Sequence, residues 1–231
     1  MSTKSDSDGD GSGGDGSGGG LDPASMLPEL PIEKRDFLFR FVSSPLRSKL
    51  KLDQEALYSA TDQLTADKIS KDLLKFAPRA SRVADATACV GGNTFSLANH
   101  FDAVDAFELD RTRSDYLEHN MEVLGVKNVQ VIRGDVLKKL KSSNYSLVFI
   151  DCPWGGRLYK QAERIHLTLS GKTLESVCFQ LSNHTKFIAL KVPTNFAEEE
   201  FLRDTEPFLE IVHKNTHLRK MHLLVFRVRD M

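Results

Sequence analysis

A polar turn directly follows a predominantly apolar run in the middle of the chain. The run, residues 145–150 (YSLVFI), predicts a buried parallel strand. Residues 151–156 (DCPWGG) bring an acid, the only tryptophan and two glycines to its carboxyl end, where ligands of open α/β sheets bind. Pro153 restricts the backbone around it, and Trp154 offers a π face to a base, above all to a cationic one. We interpret this loop as one that holds the exocyclic amine of a purine beside a methyl donor. The Asp151 carboxylate would accept a hydrogen bond from that amine.

Acidic residues also end the three preceding strands of the predicted sheet. Asp85 ends the first strand and precedes a glycine-containing loop, Glu108 ends the second, and Asp135 follows the third. An acid at the end of the second strand can accept hydrogen bonds from both hydroxyls of a ribose. Asp135 can accept one from an adenine amine. Because the glycine loop is not the G-x-G-x-x-G loop of dinucleotide sites, the pattern favours a nucleoside cofactor such as S-adenosyl-L-methionine.

Strands and helices alternate from residue 82 onward. This order predicts an α/β domain with a doubly wound, mainly parallel sheet of seven strands and right-handed crossovers. The last two strands, joined by a turn, predict a C-terminal antiparallel hairpin. Strands are predicted at about 83–86, 103–107, 129–132, 145–150, 186–190, 208–213 and 220–227, and helices at about 94–100, 111–124, 172–181 and 196–203.

Composition divides the chain into three regions. Residues 1–25 are rich in Gly, Ser and Asp, which predicts a disordered tail. Residues 26–80 predict a helical extension on the substrate side, in which Thr65 is a candidate N-cap. Residues 81–231 form the predicted catalytic domain. The net charge is −1 over the whole chain, but residues 1–22 carry five Asp and one Lys (net −4), so the remainder is about +3 and permits contact with nucleic acid.

Several classes of site and location are disfavoured. Three cysteines without regular spacing argue against a disulfide framework and against a zinc site, and no metal is expected. A reducing, intracellular compartment is therefore predicted, either nucleus or cytoplasm. No apolar run approaches the roughly 20 residues that span a bilayer, and the acidic, glycine-rich start is unlike a signal peptide. A monomer is expected, with unknown protein partners.

The motifs together resemble the RNA cap guanine-N2 methyltransferases, the trimethylguanosine synthase family. Its pattern D-A-F-C-G-V-G-G-N-T is similar to residues 85–94 (DATACVGGNT), and its S-P-P-W-G-G is similar to residues 151–156. Weaker similarities are G-D at 134–135, F-S-V-T-P-E at 58–63 (YSATDQ) and L-P-R-N at 192–195 (VPTN). The resemblance covers roughly residues 50–200.

The resemblance implies a Rossmann-like class I methyltransferase fold, S-adenosyl-L-methionine as methyl donor, and the N2 amine of a 7-methylguanosine cap on RNA as acceptor. Trp154 would stack on the cationic base. The catalytic residues would be Asp151, Pro153 and Trp154. The cofactor-binding residues would be Thr61, Asp85, Ala86, Gly91, Asn93, Thr94, Glu108, Asp110, Asp135, Val136 and Asp151. The substrate-binding residues would be Trp154, Lys49, Lys51, Arg157, Lys191 and Asn195.

Three of the departures from the family pattern bear on the chemistry. The pattern has serine where this chain has Asp151, glycine where it has Cys89, and arginine where it has Thr194. A side chain at Cys89 is expected to weaken donor binding. The loss of the arginine is expected to weaken binding of the cap phosphates, for which Lys49, Lys51, Arg157 or Lys191 could substitute.

Three alternatives remain open. Because Asp followed by Pro-Trp also suits other amino-methylations, the substrate could be another base, such as adenine at N6. Because Cys89 and Thr194 depart from the pattern, the fold could instead serve as a binding or scaffold subunit with weak catalysis. Cys152 could be a nucleophile for pyrimidine methylation, although it precedes the proline and is better explained as a small turn residue.

Overall fold

The computed structural model describes residues 32–141 and 145–230, except the side chains of residues 32, 33 and 157. The tail predicted over residues 1–25 lies outside the described residues. The helices are α1 (Ile32–Leu38), α2 (Ser44–Arg47), α3 (Gln54–Ser59), α4 (Gln63–Leu73), α5 (Gly92–His100), α6 (Arg111–Val123), α7 (Val136–Lys139), α8 (Leu174–Ser182) and α9 (Glu198–Thr205), with a 3-10 helix at Gly156–Gln161. The strands are β1 (Arg82–Asp85), β2 (Ala103–Glu108), β3 (Val129–Arg133), β4 (Tyr145–Ile150), β5 (Thr168–Leu169), β6 (Lys172–Thr173), β7 (Thr185–Pro193), β8 (Leu209–Asn215) and β9 (Met221–Val228).

The main sheet of the described chain has seven strands in the order β3-β2-β1-β4-β7-β9-β8. The first five of these are parallel, and β9 pairs antiparallel with both β7 and β8. The predicted sheet with its C-terminal antiparallel hairpin is therefore confirmed. The strand order reverses between β1 and β4, and ligands of such sheets bind outside the carboxyl ends of the strands at that point.

Both faces of the central strands are buried, because side chains alternate between them. On β4, Leu147 and Phe149 belong to the core on one face, whereas Val148 and Ile150 belong to the core on the other. Helices α4 and α5 contribute to the first core, and α8 and α9 to the second. This packing explains why the strands read as continuous apolar runs and why their register is fixed.

The extension begins with α1, α2 and α3. Apolar side chains of α1, of α3 and of the segments that follow α1 and α2 pack with Val90 of the glycine loop and with side chains of α6. The predicted cap of α4 is wrong by three residues. Asp62, not Thr65, is the N-cap, and its carboxylate accepts hydrogen bonds from the backbone N–H of Thr65 at 3.4 Å and from its hydroxyl at 2.7 Å. A carboxylate at this position also interacts favourably with the helix dipole.

Asn120 of α6 joins this extension to the glycine loop. Its amide group donates to the carbonyls of Lys51 and Val90, both at 2.9 Å, and accepts from the backbone N–H of Lys51 at 2.8 Å. The side chain is fully buried. One satisfied amide therefore fixes where the extension enters the domain and holds the glycine loop against it.

We expect Asn120→Ala to loosen the extension selectively. It leaves one buried and two partly buried backbone groups without their partner, which costs on the order of 2–4 kcal/mol of unfolding free energy. Hydrogen exchange of residues 34–59 should rise more than exchange in β4. The matched control is Asn128→Ala, whose amide donates to the carbonyls of Ala98 and Phe101 at 2.8 Å, away from the extension. Equal exchange increases in both variants would contradict this role.

Candidate active site

Three acids meet at the carboxyl edge of the sheet, because β2, β1 and β4 are adjacent and parallel. They are Glu108 at the end of β2, Asp85 at the end of β1 and Asp151 directly after β4. Asp85 is fully buried. Burial raises the pKa of its carboxyl to about 7, and the negative charges of Asp151 and Glu108 push it in the same direction. Hydrogen bonds from the Thr94 hydroxyl at 2.7 Å and the Thr87 backbone N–H at 3.3 Å oppose this shift.

Asp85 therefore holds the glycine loop from inside. The loop needs its glycine at Gly91, where φ is +102° and an added Cβ would lie 2.6 Å from the terminal methyl of Met121. Ala86 and Thr94, both buried, anchor the two ends of the loop. Of the residues predicted to bind a cofactor, Asp85, Ala86, Gly91 and Thr94 shape the loop in this structure.

Glu108 is connected to the same loop. One of its oxygens accepts from the backbone N–H of Cys89 at 2.8 Å, and the other from the N–H of Asp110 at 2.8 Å. Each carboxylate oxygen has a second lone pair for a ligand hydroxyl. Cys89 adopts φ +51°, a left-handed conformation that favours glycine, and its side chain packs against the apolar cluster of the extension. Cys89 thus replaces a glycine at a position with a glycine-like backbone.

Asp110 and Asp135 are both helix N-caps. Asp110 accepts from the backbone N–H of Arg113 at 2.8 Å. Asp135 accepts through one oxygen from the N–H of Leu137 at 3.0 Å and from the Ser170 hydroxyl at 2.9 Å. Capping uses only one oxygen of each carboxylate, so the other can still accept a hydrogen bond from a ligand. Val136, at the start of α7, is buried.

Asp151 collects the most contacts among the predicted catalytic residues. Its Oδ2 accepts hydrogen bonds from the ammonium of Lys191 at 2.6 Å, from the amide of Asn93 at 3.1 Å and from the hydroxyl of Thr61 at 3.3 Å. Its backbone N–H donates to Thr87 Oγ1 at 2.8 Å. The three side-chain contacts all fall on one oxygen, so Oδ1 remains to accept from a ligand.

Asn93 has a second notable feature. Its Oδ1 is buried and has no hydrogen-bond partner among the described residues. A buried acceptor without a donor is unfavourable, and a ligand that brings an N–H or O–H group to this position would satisfy it.

Trp154 is half-buried and stands beside Asp151. Its indole packs against the core, makes an edge contact with Tyr159 at 5.2 Å between ring centroids, and has the Lys191 Nζ 5.0 Å from its ring centroid. The residue keeps part of its surface exposed, but its Nε1 is buried and has no hydrogen-bond partner among the described residues. Pro153 and the glycines that follow Trp154 are exposed.

The predicted substrate-side residues do not all lie at this turn. Asn195 donates to the carbonyls of Tyr159 and Ala162, both at 2.8 Å, and so holds the 3-10 helix that packs on Trp154. Lys49 and Lys51 are exposed, and their backbones are tied to α6. The side chain of Arg157 is outside the described residues.

Lys191 differs from the sequence-based expectation. We expected a cation that meets the cap phosphates, but only 4 % of its side chain is exposed and its ammonium is paired with Asp151. This pair was not predicted from the sequence, and neither were the contacts of Thr87 and Tyr159. Strand register contains the signal, because Ile150 pairs with Leu190 and the next residue on each strand is the acid or the lysine.

No grouping of three or more His, Cys, Asp or Glu side chains in the described residues could hold a metal ion. In the same residues, no helix is long and apolar enough to cross a membrane.

The cysteines are poorly suited to nucleophilic chemistry. Burial raises the thiol pKa to about 12 for both Cys89 and Cys152, and it raises the pKa of Cys178 well above the ordinary value. The thiolate is the reactive form. These environments therefore argue against Cys152 as a nucleophile.

We expect alkylation to reveal these environments. In the native protein, the rate for Cys152 should rise about tenfold per pH unit from about pH 8 to 10 without a plateau, because a thiol with so high a pKa is almost fully protonated there. In denaturant, the rate should level off above about pH 8.5. Peptide mass spectrometry after iodoacetamide treatment measures each site. Rapid native labelling with a plateau near neutral pH would restore Cys152 as a candidate nucleophile.

The chain is similar in sequence to known proteins. A family model described as RNA cap guanine-N2 methyltransferase matches residues 80–219, more than half of the chain. The chain is 33% identical over 133 residues to the trimethylguanosine synthase of Schizosaccharomyces pombe, covering 54% of this chain and 51% of that protein. It is 34% identical over 124 residues to an uncharacterised protein of Acanthamoeba polyphaga mimivirus, covering 52% of this chain and 48% of the other. The chain therefore spans about half the length of the curated relatives it matches.

Among solved structures, the fold is similar to a TehB-like SAM-dependent methyltransferase from Corynebacterium glutamicum. The TM-score is 0.53 at 14% sequence identity, and the match covers 76% of this chain and 94% of that one. At this identity the likeness concerns the fold alone. It agrees with the predicted Rossmann-like class I methyltransferase fold.

Proposed function

Because the chain belongs to the RNA cap guanine-N2 methyltransferase family, we propose that it transfers a methyl group from S-adenosyl-L-methionine to the N2 amine of a 7-methylguanosine RNA cap. One observation carries this proposal. The Asp151 carboxylate and the half-buried Trp154 stand together at the carboxyl end of β4, next to the buried Glu108 and the glycine loop. A carboxylate that can accept a hydrogen bond from an amine and an indole that can stack on a base are thus adjacent to groups that can accept hydrogen bonds from a nucleoside.

The residues at this edge fit the proposed donor. S-adenosyl-L-methionine supplies an electrophilic methyl group when bound. Glu108 would accept the ribose hydroxyls and Asp135 the adenine amine. The buried Oδ1 of Asn93, which has no partner within the described parts of the chain, suits an ammonium such as that of the methionine moiety. The proposed cofactor-binding set remains the one predicted from the sequence, with Asp85 and Gly91 acting through the loop they shape.

Trp154 and Asp151 would divide the recognition of the base. A 7-methylated guanine is cationic, and a cation over an indole gains roughly 0.5–2 kcal/mol. The N2 lone pair of guanine is delocalised into the ring, which makes the amine a poor nucleophile. If Asp151 Oδ1 accepts one of the amine hydrogens, it orients the nitrogen and stabilises the positive charge that develops on it. Proximity and orientation would then contribute most of the rate, without a covalent enzyme intermediate.

One observation favours a second candidate substrate. The ammonium of Lys191 lies 5.0 Å from the Trp154 ring centroid, and a resident cation beside the ring reduces the advantage of a cationic base. A neutral purine with an exocyclic amine, such as an adenine that would receive the methyl group at N6, would not be repelled by this cation. A direct comparison of RNAs that offer one base or the other distinguishes the two candidates.

We expect the purified protein to methylate RNA with a 7-methylguanosine cap. Mass spectrometry of nuclease-digested RNA after incubation with the donor identifies the modified base and separates one added methyl from two. RNAs with an unmethylated guanosine cap and RNAs carrying internal adenines are tested in parallel. Modification of adenine alone would support the second candidate, and donor binding without transfer to any RNA would contradict the enzymatic proposal.

Replacing Trp154 should affect substrate binding most. We expect Trp154→Ala to raise the KM for capped RNA by about 3- to 30-fold, because the π face is removed. Trp154→Phe is the matched control and should show a smaller effect. The KM for the donor should change little in both. Equal KM values for all three proteins would show that residue 154 does not contact the base.

The basic segment around Lys49 and Lys51 supports a role in phosphate binding. Residues 32–51 carry six Lys or Arg and two acids, and both lysines are exposed. We expect Lys49→Ala/Lys51→Ala to flatten the salt dependence of RNA binding, by up to about 0.7 in log–log slope for each phosphate that the variant no longer neutralises. Fluorescence anisotropy over a salt series measures the slope. The control pair is Lys127→Ala/Lys186→Ala, two exposed lysines at the amino-terminal side of the parallel strands. An unchanged slope for Lys49→Ala/Lys51→Ala would contradict a role of these lysines in phosphate binding.

A further inference from the structure

We propose that Lys191 is a positioning residue of this active site. Its buried ammonium fixes the orientation of Asp151, compensates its charge and braces the Trp154 ring. The inference rests on the proposed function, because it concerns the residue that accepts the hydrogen bond from the substrate amine. It assigns Lys191 to the chemistry of the site and not to the phosphates of the substrate.

The pairing of two neighbouring strands places Lys191 beside Asp151. Strands β4 and β7 are parallel neighbours, and Ile150 is in register with Leu190. Asp151 follows the last residue of β4, and Lys191 lies near the carboxyl end of β7. Side chains of β7 alternate between the two cores, with Ile188 and Leu190 in one and Ala189 in the other. A shift of one residue would move these apolar side chains to the opposite faces, so the register that places Lys191 is fixed.

Burial shows that this pair is not a surface ion pair. Only 4 % of the Lys191 side chain and 10 % of the Asp151 side chain are exposed. Lysine is almost never buried so completely without a partner. The Nζ–Oδ2 distance of 2.6 Å is a short, charge-assisted hydrogen bond. In such an environment, removal of one partner leaves the other charge uncompensated.

The other donors to Asp151 could not replace Lys191. Asn93 and Thr61 are neutral, and their contacts at 3.1 and 3.3 Å are longer. Lys191 is the cation paired with Asp151, so without it the buried Asp151 carboxylate would lose its charge partner, with the acids Asp85 and Glu108 nearby. The ammonium therefore holds Oδ2 within the protein, which directs Oδ1 toward the space where a substrate amine would lie.

The same ammonium contacts the indole of Trp154. Nζ lies 5.0 Å from the ring centroid, within the range of a cation–π interaction. Tyr159 contacts the ring at its edge. One buried cation thus links the proposed amine acceptor to the proposed base-stacking residue, and it fixes the position of one relative to the other.

This arrangement makes the identity of residue 191 depend on residue 151. A carboxylate at 151 needs a buried cation, whereas a neutral hydroxyl does not. The pair Asp151–Lys191 is therefore a charged, internally neutralised alternative to a neutral acceptor.

The test is a double-mutant cycle with Lys191→Met, Asp151→Ser and both together. We expect Lys191→Met to lower kcat for methyl transfer by about 10- to 100-fold, because the acceptor loses its orientation, with KM values within about threefold. The double variant should recover at least about tenfold of kcat relative to Lys191→Met, since no uncompensated carboxylate remains. Lys186→Met, an exposed lysine on the same strand, is the control and should match wild type.

A second readout requires no substrate. Trp154 is the only tryptophan, so intrinsic emission reports the surroundings of its ring alone. Lys191→Met should change the emission maximum or intensity of the free protein, and Lys186→Met should not. If Lys191→Met does not fold, the folded double variant carries the test, because it lacks both charges and should show the same altered emission.

Two results would overturn the proposal. One is wild-type kcat together with unchanged emission in Lys191→Met. The other is a double variant whose fold-decrease in kcat equals the product of the two single decreases, since independent sites are multiplicative in rate. If the wild-type chain methylates a different base, the same cycle is run on that base. If it methylates none, the proposed function fails. The tryptophan emission and the coupling of residues 151 and 191 in unfolding free energy then decide whether Lys191 fixes the positions of Asp151 and Trp154.

Discussion

Three carboxylates share one poorly hydrated edge of the sheet, and like charges so placed repel one another. The structure balances this repulsion in a different way for each acid. Asp85 is enclosed and accepts from Thr94, and its raised pKa reflects the cost of a buried charge. Glu108 accepts two backbone N–H groups. Asp151 has the ammonium of Lys191. Every one of these solutions uses groups that must stay in place, which makes this edge rigid where a methyl acceptor and donor would have to meet.

The N-terminal extension is part of this edge and not a separate module. Thr61, which follows α3, donates to Asp151, and the carbonyl of Thr61 would lie 2.9 Å from a Cβ added at Gly92. Asn120 ties Lys51 to the carbonyl of Val90 in the glycine loop. Displacing the extension would therefore disturb both the Asp151 carboxylate and the glycine loop. This connection gives the segment 32–61 a direct physical route to the chemistry of the site.

Elements with a strong repeating pattern were predictable, and short ones were not. The seven strands of the main sheet and helices α5, α6 and α9 follow from apolar runs, period and turn residues, with boundaries within a few residues. Helix α7, the 3-10 helix and the β5–β6 hairpin are too short to show a period. The helix predicted at 172–181 begins two residues later in the structure, because Lys172 and Thr173 pair with β5. The cap of α4 was misplaced because Asp62 and Thr65 are both good capping residues, and only the backbone distinguishes them.

The sequence alone determined which residues stand at the ends of the parallel strands, because the apolar runs set the strands and the acids follow them directly. It thereby predicted the edge, the glycine loop and the turn at Trp154. Only the tertiary structure decided what those residues contact. Lys191 is 40 positions from Asp151 along the chain. From the sequence it was predicted to be an exposed lysine that contacts phosphates, but in the folded sheet it is buried beside Asp151. Burial and partnership depend on which strands become neighbours, and that is a property of the packed sheet and not of any local stretch of sequence.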